Sequence, residues 1–311
     1  MRKPLLRFTD LLILMLLFSA TTLIAAETSA KSAANSKDIK TLHILWVGNS
    51  YTAGGPLPQV VQKMMNEGRT NTRMEYKTSI MGGMGYKYHV EDGKAIRRIV
   101  DGWKDDKDKR HDWDMVVLQN KSWGPVSLQD EMRKYGMVLS EVSKAFGAKP
   151  VFYCTWAKKY APEQAQTIFD MYTEVAEAND GLLAPAGQAW KYVYENPATK
   201  SIKLYRFDRS HPSSWGVYLN ACVFYATLTG ESPVGLKLRS VEPWKTTERY
   251  TKNHLKARKN LVLSEDDLYN GPRTLTDKEA LILQKAAWKA VQERMKIQKK
   301  IDAAKEKKAK K

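Results

Sequence analysis

A short apolar run, Ile44-Leu45-Trp46-Val47, ends in the small-residue turn Gly48-Asn49-Ser50-Tyr51-Thr52. A serine hydroxyl is a weak nucleophile until a base takes its proton, and histidine is the usual base near neutral pH. The base must itself be held in one tautomer, commonly by a carboxylate. Of the five histidines, only His211 has an aspartate placed to do this locally: Asp208 lies three residues earlier, in Asp208-Arg209-Ser210-His211-Pro212. One turn of backbone sets that carboxylate against one ring nitrogen and leaves the other free to face Ser50. Two further stretches carry groups of use at such a site. Met81-Gly82-Gly83-Met84-Gly85 is a glycine cluster that serves either as a simple turn or as backbone a ligand can approach closely. Gln119-Asn120-Lys121-Ser122 offers side-chain amides.

These pieces must be gathered by the elements between them. Leu57, Val60, Val61, Met64 and Met65 recur at helical spacing just after Ser50, so the serine sits between a buried strand and a helix. Residues 72–80 alternate as a second strand, and Asp114–Leu118 is a short β-branched third strand of central, parallel type. Ser127 with Asp130 reads as a capping box opening a helix whose buried face is Met132, Tyr135, Leu139, Val142 and Phe146. Lys149–Trp156 is a fourth strand, and Leu182–Pro185 a short fifth. Pro162 opens a helix between them, with Ile168, Phe169, Tyr172 and Val175 as its stripe. After Pro212 an apolar helix runs from Val217 to Leu228, stopped by Gly230. Thr276 and Glu279 form a second capping box before Ala280, Leu283, Ala287, Trp288 and Val291. The strand–helix alternation predicts an α/β fold: a three-layer α/β/α sandwich on a mainly parallel five-stranded sheet, with a C-terminal helical extension.

The two ends differ from this body. Arg2, Lys3 and Arg7 precede the apolar run Leu11–Leu17, and Ala25-Ala26 offers a cleavage site, so residues 1–26 read as a signal peptide and the protein as exported, periplasmic or secreted. The alternative, an uncleaved anchor, meets an apolar core shorter than the ~20 residues of a spanning helix. Residues 27–40 read as a linker. Residues 41–235 are the catalytic-domain candidate, 236–273 an irregular extension containing Trp244, and 274–311 a basic helix and tail. A net charge of +17 invites a nucleic-acid reading, but residues 285–311 alone hold eleven Lys or Arg against three acids. Much of the charge is therefore a tail, solvated or touching an anionic surface, the body being only moderately basic, and no nucleic-acid partner is expected. Beyond Ile301 the Ala, Lys and Glu composition suggests a frayed end. Cys154 and Cys222 both fall on apolar elements and read as free buried thiols rather than a bridge. Scattered histidines, no H-x-x-x-H and no paired cysteines give no metal site, and nothing calls for a cofactor.

The glycine–serine turn after a first strand and the D-x-x-H-P block together resemble the SGNH (GDSL-type) hydrolase superfamily. The resemblance spans roughly residues 41–235. The variant Gly48-Asn49-Ser50-Tyr51-Thr52, followed by Leu57-Pro58 and by Val116-Val117-Leu118-Gln119, is similar to a less-characterised bacterial branch. The resemblance implies Ser50 as nucleophile, His211 as base and then acid, and Asp208 as its orienting partner. It also implies an oxyanion hole built from the Ser50 N–H, a glycine N–H from Gly82 or Gly83, and a side-chain amide. The family's G-x-N-D block is replaced here by Gln119-Asn120-Lys121-Ser122, which leaves Gln119 and Asn120 both open, Gln119 being nearer the strand end. Asn49 replaces the usual aspartate and removes a charge beside the nucleophile.

The function expected is that of an exported serine esterase working through an acyl-enzyme on an ester, such as an O-acetyl group of a carbohydrate. The alternative is a non-catalytic carbohydrate- or surface-binding module on the same fold. Trp123, Trp156 and Trp215, near strand ends or the D-x-x-H-P block, are candidates for an aromatic floor under a sugar ring, with core packing as their other use. His89 is a candidate for the same cleft, with an exposed loop position as its alternative.

Overall fold

In the computed structural model the described residues are 39–67, 69–241 and 273–309. The chain divides into two units, Met1–Lys40 and Thr41–Lys311, and the second carries every feature discussed below. The signal-peptide and linker readings, Trp244 and nearly all of the irregular extension lie outside the described residues.

Five strands form the central sheet in the order β2-β1-β5-β6-β7: β1 (Lys40–Gly48), β2 (Thr72–Ile80), β5 (Met115–Leu118), β6 (Lys149–Tyr153) and β7 (Leu182–Ala184). β1 pairs with β5, β5 with β6 and β6 with β7 in parallel. Because successive side chains of a strand point to opposite faces, β1 feeds two cores. Ile44 and Trp46 enter one, while Leu45 and Val47 enter the other. Val117 and Val151 join the first core, and Val116, Leu118 and Phe152 the second. Strands apolar on both faces are what a covered parallel sheet requires.

The helices are α1 (Ser50–Ala53), α2 (Leu57–Met65), α3 (Tyr86–Glu91), α4 (Lys94–Asp101), α5 (Gly124–Ser127), α6 (Gln129–Ala145), α7 (Ala165–Ala178), α8 (Ala186–Glu195), α9 (Ser214–Thr229) and α10 (Asp277–Ala309). Side chains of α2, α8, α9 and α10 fill the first core, and those of α3, α4, α6 and α7 fill the second. Two-residue strands β3 (Trp103–Lys104) and β4 (Arg110–His111) pair antiparallel, as do β8 (Ser240–Val241) and β9 (Arg273–Thr274).

Four local readings meet the structure directly. Gly230 ends α9 at φ 73°, the left-handed stop expected of glycine. The Thr276–Glu279 box forms in both directions: Glu279 accepts from the Thr276 N–H at 2.9 Å, and Thr276 Oγ1 from the Glu279 N–H at 3.2 Å. The Ser127 box does not form, because Gly124-Pro125 starts the separate short helix α5, of which Ser127 is the last residue. Helix α6 then begins after Leu128, without a side-chain cap. Both cysteines are free and buried, on opposite faces of the sheet.

The C-terminal helix belongs to the core. Ala280, Leu283, Ala287, Ala290 and Val291 are buried against α9, a helix apolar all round and covered on every side. Arg294, 5% exposed, donates to Glu177 on α7 at 2.6 Å. Lys305 pairs with Asp180 just beyond α7, and the helix runs on to Ala309 rather than fraying at Ile301. Leu283→Ala should therefore cost about 2–5 kcal/mol, the range for truncating a fully buried leucine. Urea unfolding checks this, and a loss below about 1 kcal/mol would mean that α10 is an appendage.

Candidate active site

The site is assembled at the carboxyl ends of β1, β5 and β6. Strand β1 stops at Gly48 because the backbone must turn there with almost no room. A Cβ on Gly48 would stand 2.6 Å from Thr52 Oγ1 and 2.7 Å from Gln119 Oε1. The turn is held by Asn49, whose Oδ1 accepts the Tyr51 N–H at 3.0 Å and caps α1. Asn49 Nδ2 donates to Met84 O at 2.8 Å and to Asn120 O at 3.4 Å. That residue, read from sequence only as a missing charge, is a buried clamp between the first strand and the loops after β2 and β5. Capping takes the Tyr51 N–H and leaves the Ser50 N–H, at the head of the helix, for other use.

Across the mouth of the sheet, the segment before α9 is braced by its backbone. Arg206 N–H donates to His211 O at 2.9 Å and Ser213 N–H to Leu204 O at 2.8 Å, around a Tyr205–Pro212 bridge. Inside this brace Asp208 Oδ1 accepts the N–H groups of Ser210 (2.9 Å) and His211 (2.8 Å). Its Oδ2 accepts from His211 Nδ1 at 2.5 Å. A carboxylate only accepts, so the ring proton is assigned to Nδ1, and Nε2 is left as acceptor. Ser50 Oγ donates to that Nε2 at 2.8 Å, across 161 residues of sequence. Burial, with 2% of the residue exposed, works to raise the Asp208 pKa. The His211 ring bond, its charge and the two backbone N–H groups outweigh this and hold the carboxyl well below the usual carboxylate range.

The chain has the SGNH-hydrolase fold. A search of solved structures matches it to a candidate SGNH hydrolase from Slackia heliotrinireducens at 24% identity and TM-score 0.50, covering 61% of this chain and 100% of that one. TesA (15% identity, TM-score 0.45, covering 60% and 98%) and the psychrotrophic esterase EstA from Pseudoalteromonas sp. (15%, TM-score 0.42, 60% and 97%) are also similar. No protein-family model and no curated protein matches. The SGNH-like part is the five-stranded sheet with its helices, to which α10 is added.

The remaining residues named from sequence separate into two groups. Gly82 and Gly83 form the exposed tip of a turn closed by a Met84 N–H to Met81 O bond of 3.2 Å, with Gly83 at φ 73° and open space where either Cβ would be. Gln119 is not an available donor. Its Oε1 accepts the Asn49 N–H at 2.9 Å and the Thr52 hydroxyl at 3.1 Å, and its Nε2 donates to Asn120 O. The side chain is fully buried and spent on tying β5 to the Ser50 turn. Asn120 differs: its Oδ1 accepts from Tyr86 N–H (3.0 Å) and Lys121 N–H (2.9 Å), and its Nδ2 keeps donor capacity.

His89 does not line a cleft. It is 3% exposed, and Nε2 donates to Gly48 O at 2.9 Å, with burial pushing its pKa down. It therefore stays neutral behind the turn and braces it. Trp156 is equally removed from substrate, 2% exposed and stacked between Tyr51 (4.7 Å) and Trp190 (3.9 Å). Trp215 is 6% exposed and covered by the Arg273 guanidinium 3.4 Å from its ring centroid. Only Trp123 of the three is open, at 47%, with Lys121 Nζ 4.5 Å from its ring centroid.

Two contacts to Ser210 escaped the sequence reading. Tyr51 sets its ring edge-on to His211 (5.1 Å, 77°) and its hydroxyl 2.6 Å from Ser210 Oγ, with Ser122 as a further partner. Trp156 Nε1 donates to Ser210 O at 3.0 Å, so the residue after Ser50 and a buried indole together fix the His211 loop. The aromatic position directly after Ser50 was the available signal.

The depressed Asp208 pKa has a consequence for stability. Its carboxylate contributes fully above the unfolded value of about 4 and is lost as pH falls toward the folded value. Asp208→Asn should therefore flatten the fall in urea midpoint between pH 5 and pH 3 relative to the parent. Parallel falls in the two proteins would sink this account.

Proposed function

We propose that the protein is a serine esterase, with Ser50 as nucleophile, His211 as base and then acid, and Asp208 as its orienter. The observation that supports this is the unbroken line Ser50 Oγ–His211 Nε2 and His211 Nδ1–Asp208 Oδ2, at 2.8 and 2.5 Å. Attack of Oγ on an ester carbonyl sends its proton to Nε2, and the buried Asp208 charge stabilises the imidazolium that forms. The same proton then leaves with the departing alcohol, giving the acyl-enzyme. Water repeats the sequence and releases the acid.

The oxyanion of each tetrahedral intermediate is received by the Ser50 N–H, by a backbone N–H of the Gly82–Gly83 turn and by Asn120 Nδ2. Asn120 takes the amide role because Gln119 is consumed by Asn49, Thr52 and Asn120 O. Within the esterase reading, an O-acetyl group on a carbohydrate is the substrate we favour, with the exposed ring of Trp123 as a surface for a sugar. Export follows from the reading of residues 1–26.

A fluorophosphonate should modify Ser50 alone, as located by peptide mass spectrometry. Ser50→Ala should abolish both labelling and hydrolysis of short acyl esters, leaving a rate at least about 10³-fold lower. Retained glycan binding by a protein inert to the probe would favour the binding-module alternative.

A further inference from the structure

We infer that the rim beside His211 binds a negative charge on the alcohol part of the substrate, so that the preferred ester is that of an acidic molecule bearing a carboxylate or sulfate. This rests on the esterase reading above and extends it to substrate class.

The rim is made by two loops joined through their backbones. Lys159 N–H donates to Arg209 O at 2.9 Å, which fastens the loop after β6 to the turn carrying the base. That junction brings Lys158, Lys159 and Arg209 together, with Arg209 two residues from His211. Lys159 and Arg209 are exposed and Lys158 half-buried. None of the three makes an ion pair among the described residues, unlike Lys121 with Glu131 and Arg133 with Glu174; Lys158 Nζ lies 5.8 Å from the ring centroid of the exposed Tyr160. Asp208, the acid nearest in sequence to Arg209, is committed to His211, and Glu163 pairs with none of them. Three like charges on adjoining loops repel one another, a standing cost that an anion arriving there removes.

The backbone of Arg209 adds an independent observation. Among the described residues, three that are not glycine lie in the left-handed region: Asp108, Asp180 and Arg209, the last at φ 60°. Aspartate and asparagine tolerate this region, and glycine occupies it freely; arginine does so at a cost. The turn needs that conformation so that Asp208 Oδ1 can accept the N–H groups of both Ser210 and His211. Glycine or asparagine would make the same turn with less strain. A strained backbone position kept for a long cation, at the edge of a reactive centre, points to a task for its side chain. The guanidinium fork suits a carboxylate or sulfate, with the two ammonium groups adding long-range attraction.

The test uses the full chain and three acetyl esters with matched rings: 4-acetoxybenzoate, 4-acetoxybenzenesulfonate and the neutral 4-acetoxybenzamide. Each kcat/KM is divided by the ester's rate with imidazole in solution. At low salt the parent should favour the anionic esters by about tenfold, and the preference should collapse near 0.5 M salt, where charges are screened. The carboxylate and sulfonate arms show which anion fits better. Arg209→Asn should lower the anionic-to-neutral ratio while its Tm is no lower than the parent's, and adding Lys158→Gln and Lys159→Gln should bring the ratio near one. A merely structural Arg209 would lower Tm and leave the ratio in place. Equal use of all three esters by the parent overturns the inference and leaves the esterase reading intact. No hydrolysis of any ester, with Ser50 unlabelled by fluorophosphonate, overturns both.

Discussion

Burying a carboxylate without partners would cost several kcal/mol, and the region around the site is built to avoid that cost at Asp208. The solution spends one oxygen on two backbone N–H groups and the other on the His211 ring, so the turn that solves a desolvation problem also aims the imidazole. Everything else about the segment follows from keeping this turn in place. The Tyr205–Pro212 bridge braces its base, the Lys159–Arg209 bond braces its tip, and the Trp156 and Tyr51 contacts hold Ser210 in the middle. A loosened turn would leave both the carboxylate unpaired and the imidazole misdirected, so the same bonds hold the acid and aim the ring.

The Ser50 side obeys a complementary rule, in which space rather than charge is scarce. Gly48 admits no side chain because Gln119 and Thr52 already occupy that volume. Gln119 is there because the parallel pairing of β1 with β5 puts Val47 beside Leu118 and so brings the residues after both strand ends together. Its Oε1 meets the first backbone donor beyond β1, and His89 meets the Gly48 carbonyl from behind. Amide and imidazole groups that look like chemistry in a sequence are here used as fasteners. Polar groups at a buried strand end must be satisfied before any can be spared for a substrate.

This explains what could be read from the sequence and what could not. The strands were legible from apolar runs, and α9 and Gly230 from composition and punctuation, because those signals are local. The meeting of Ser50, His211 and Asp208 was legible because Asp208 and His211 are near neighbours and the serine turn has its own pattern. The choice between Gln119 and Asn120 was not legible. It depends on which amide the Asn49 N–H reaches, a contact across 70 residues. The tryptophans failed for the same reason: Trp123 and Trp156 both follow strands, yet one lies open while the other is covered by Tyr51 and Trp190. The Ser127 capping box had a correct motif but a competing proline–glycine start one turn earlier.

The large positive charge divides in the same way once the fold is known. Toward the C-terminus, Arg294 is buried against Glu177, Lys305 pairs with Asp180, and Lys289 lies 3.9 Å from the Tyr192 ring centroid. These cations stitch α10 to the sheet's helices, so part of what reads as a basic tail is internal fastening. The partnered cations therefore sit where they hold structure, on helices whose neighbours supply acids or aromatic faces. Lys158, Lys159 and Arg209 have no acid paired to them among the described residues, and they occupy loops tied through the Lys159–Arg209 backbone bond to the His211 turn. On the inference drawn above, charge carried on backbone tied to the His211 turn acts on whatever approaches His211. An interaction with an incoming anion is the use of that charge which the rest of the molecule leaves open.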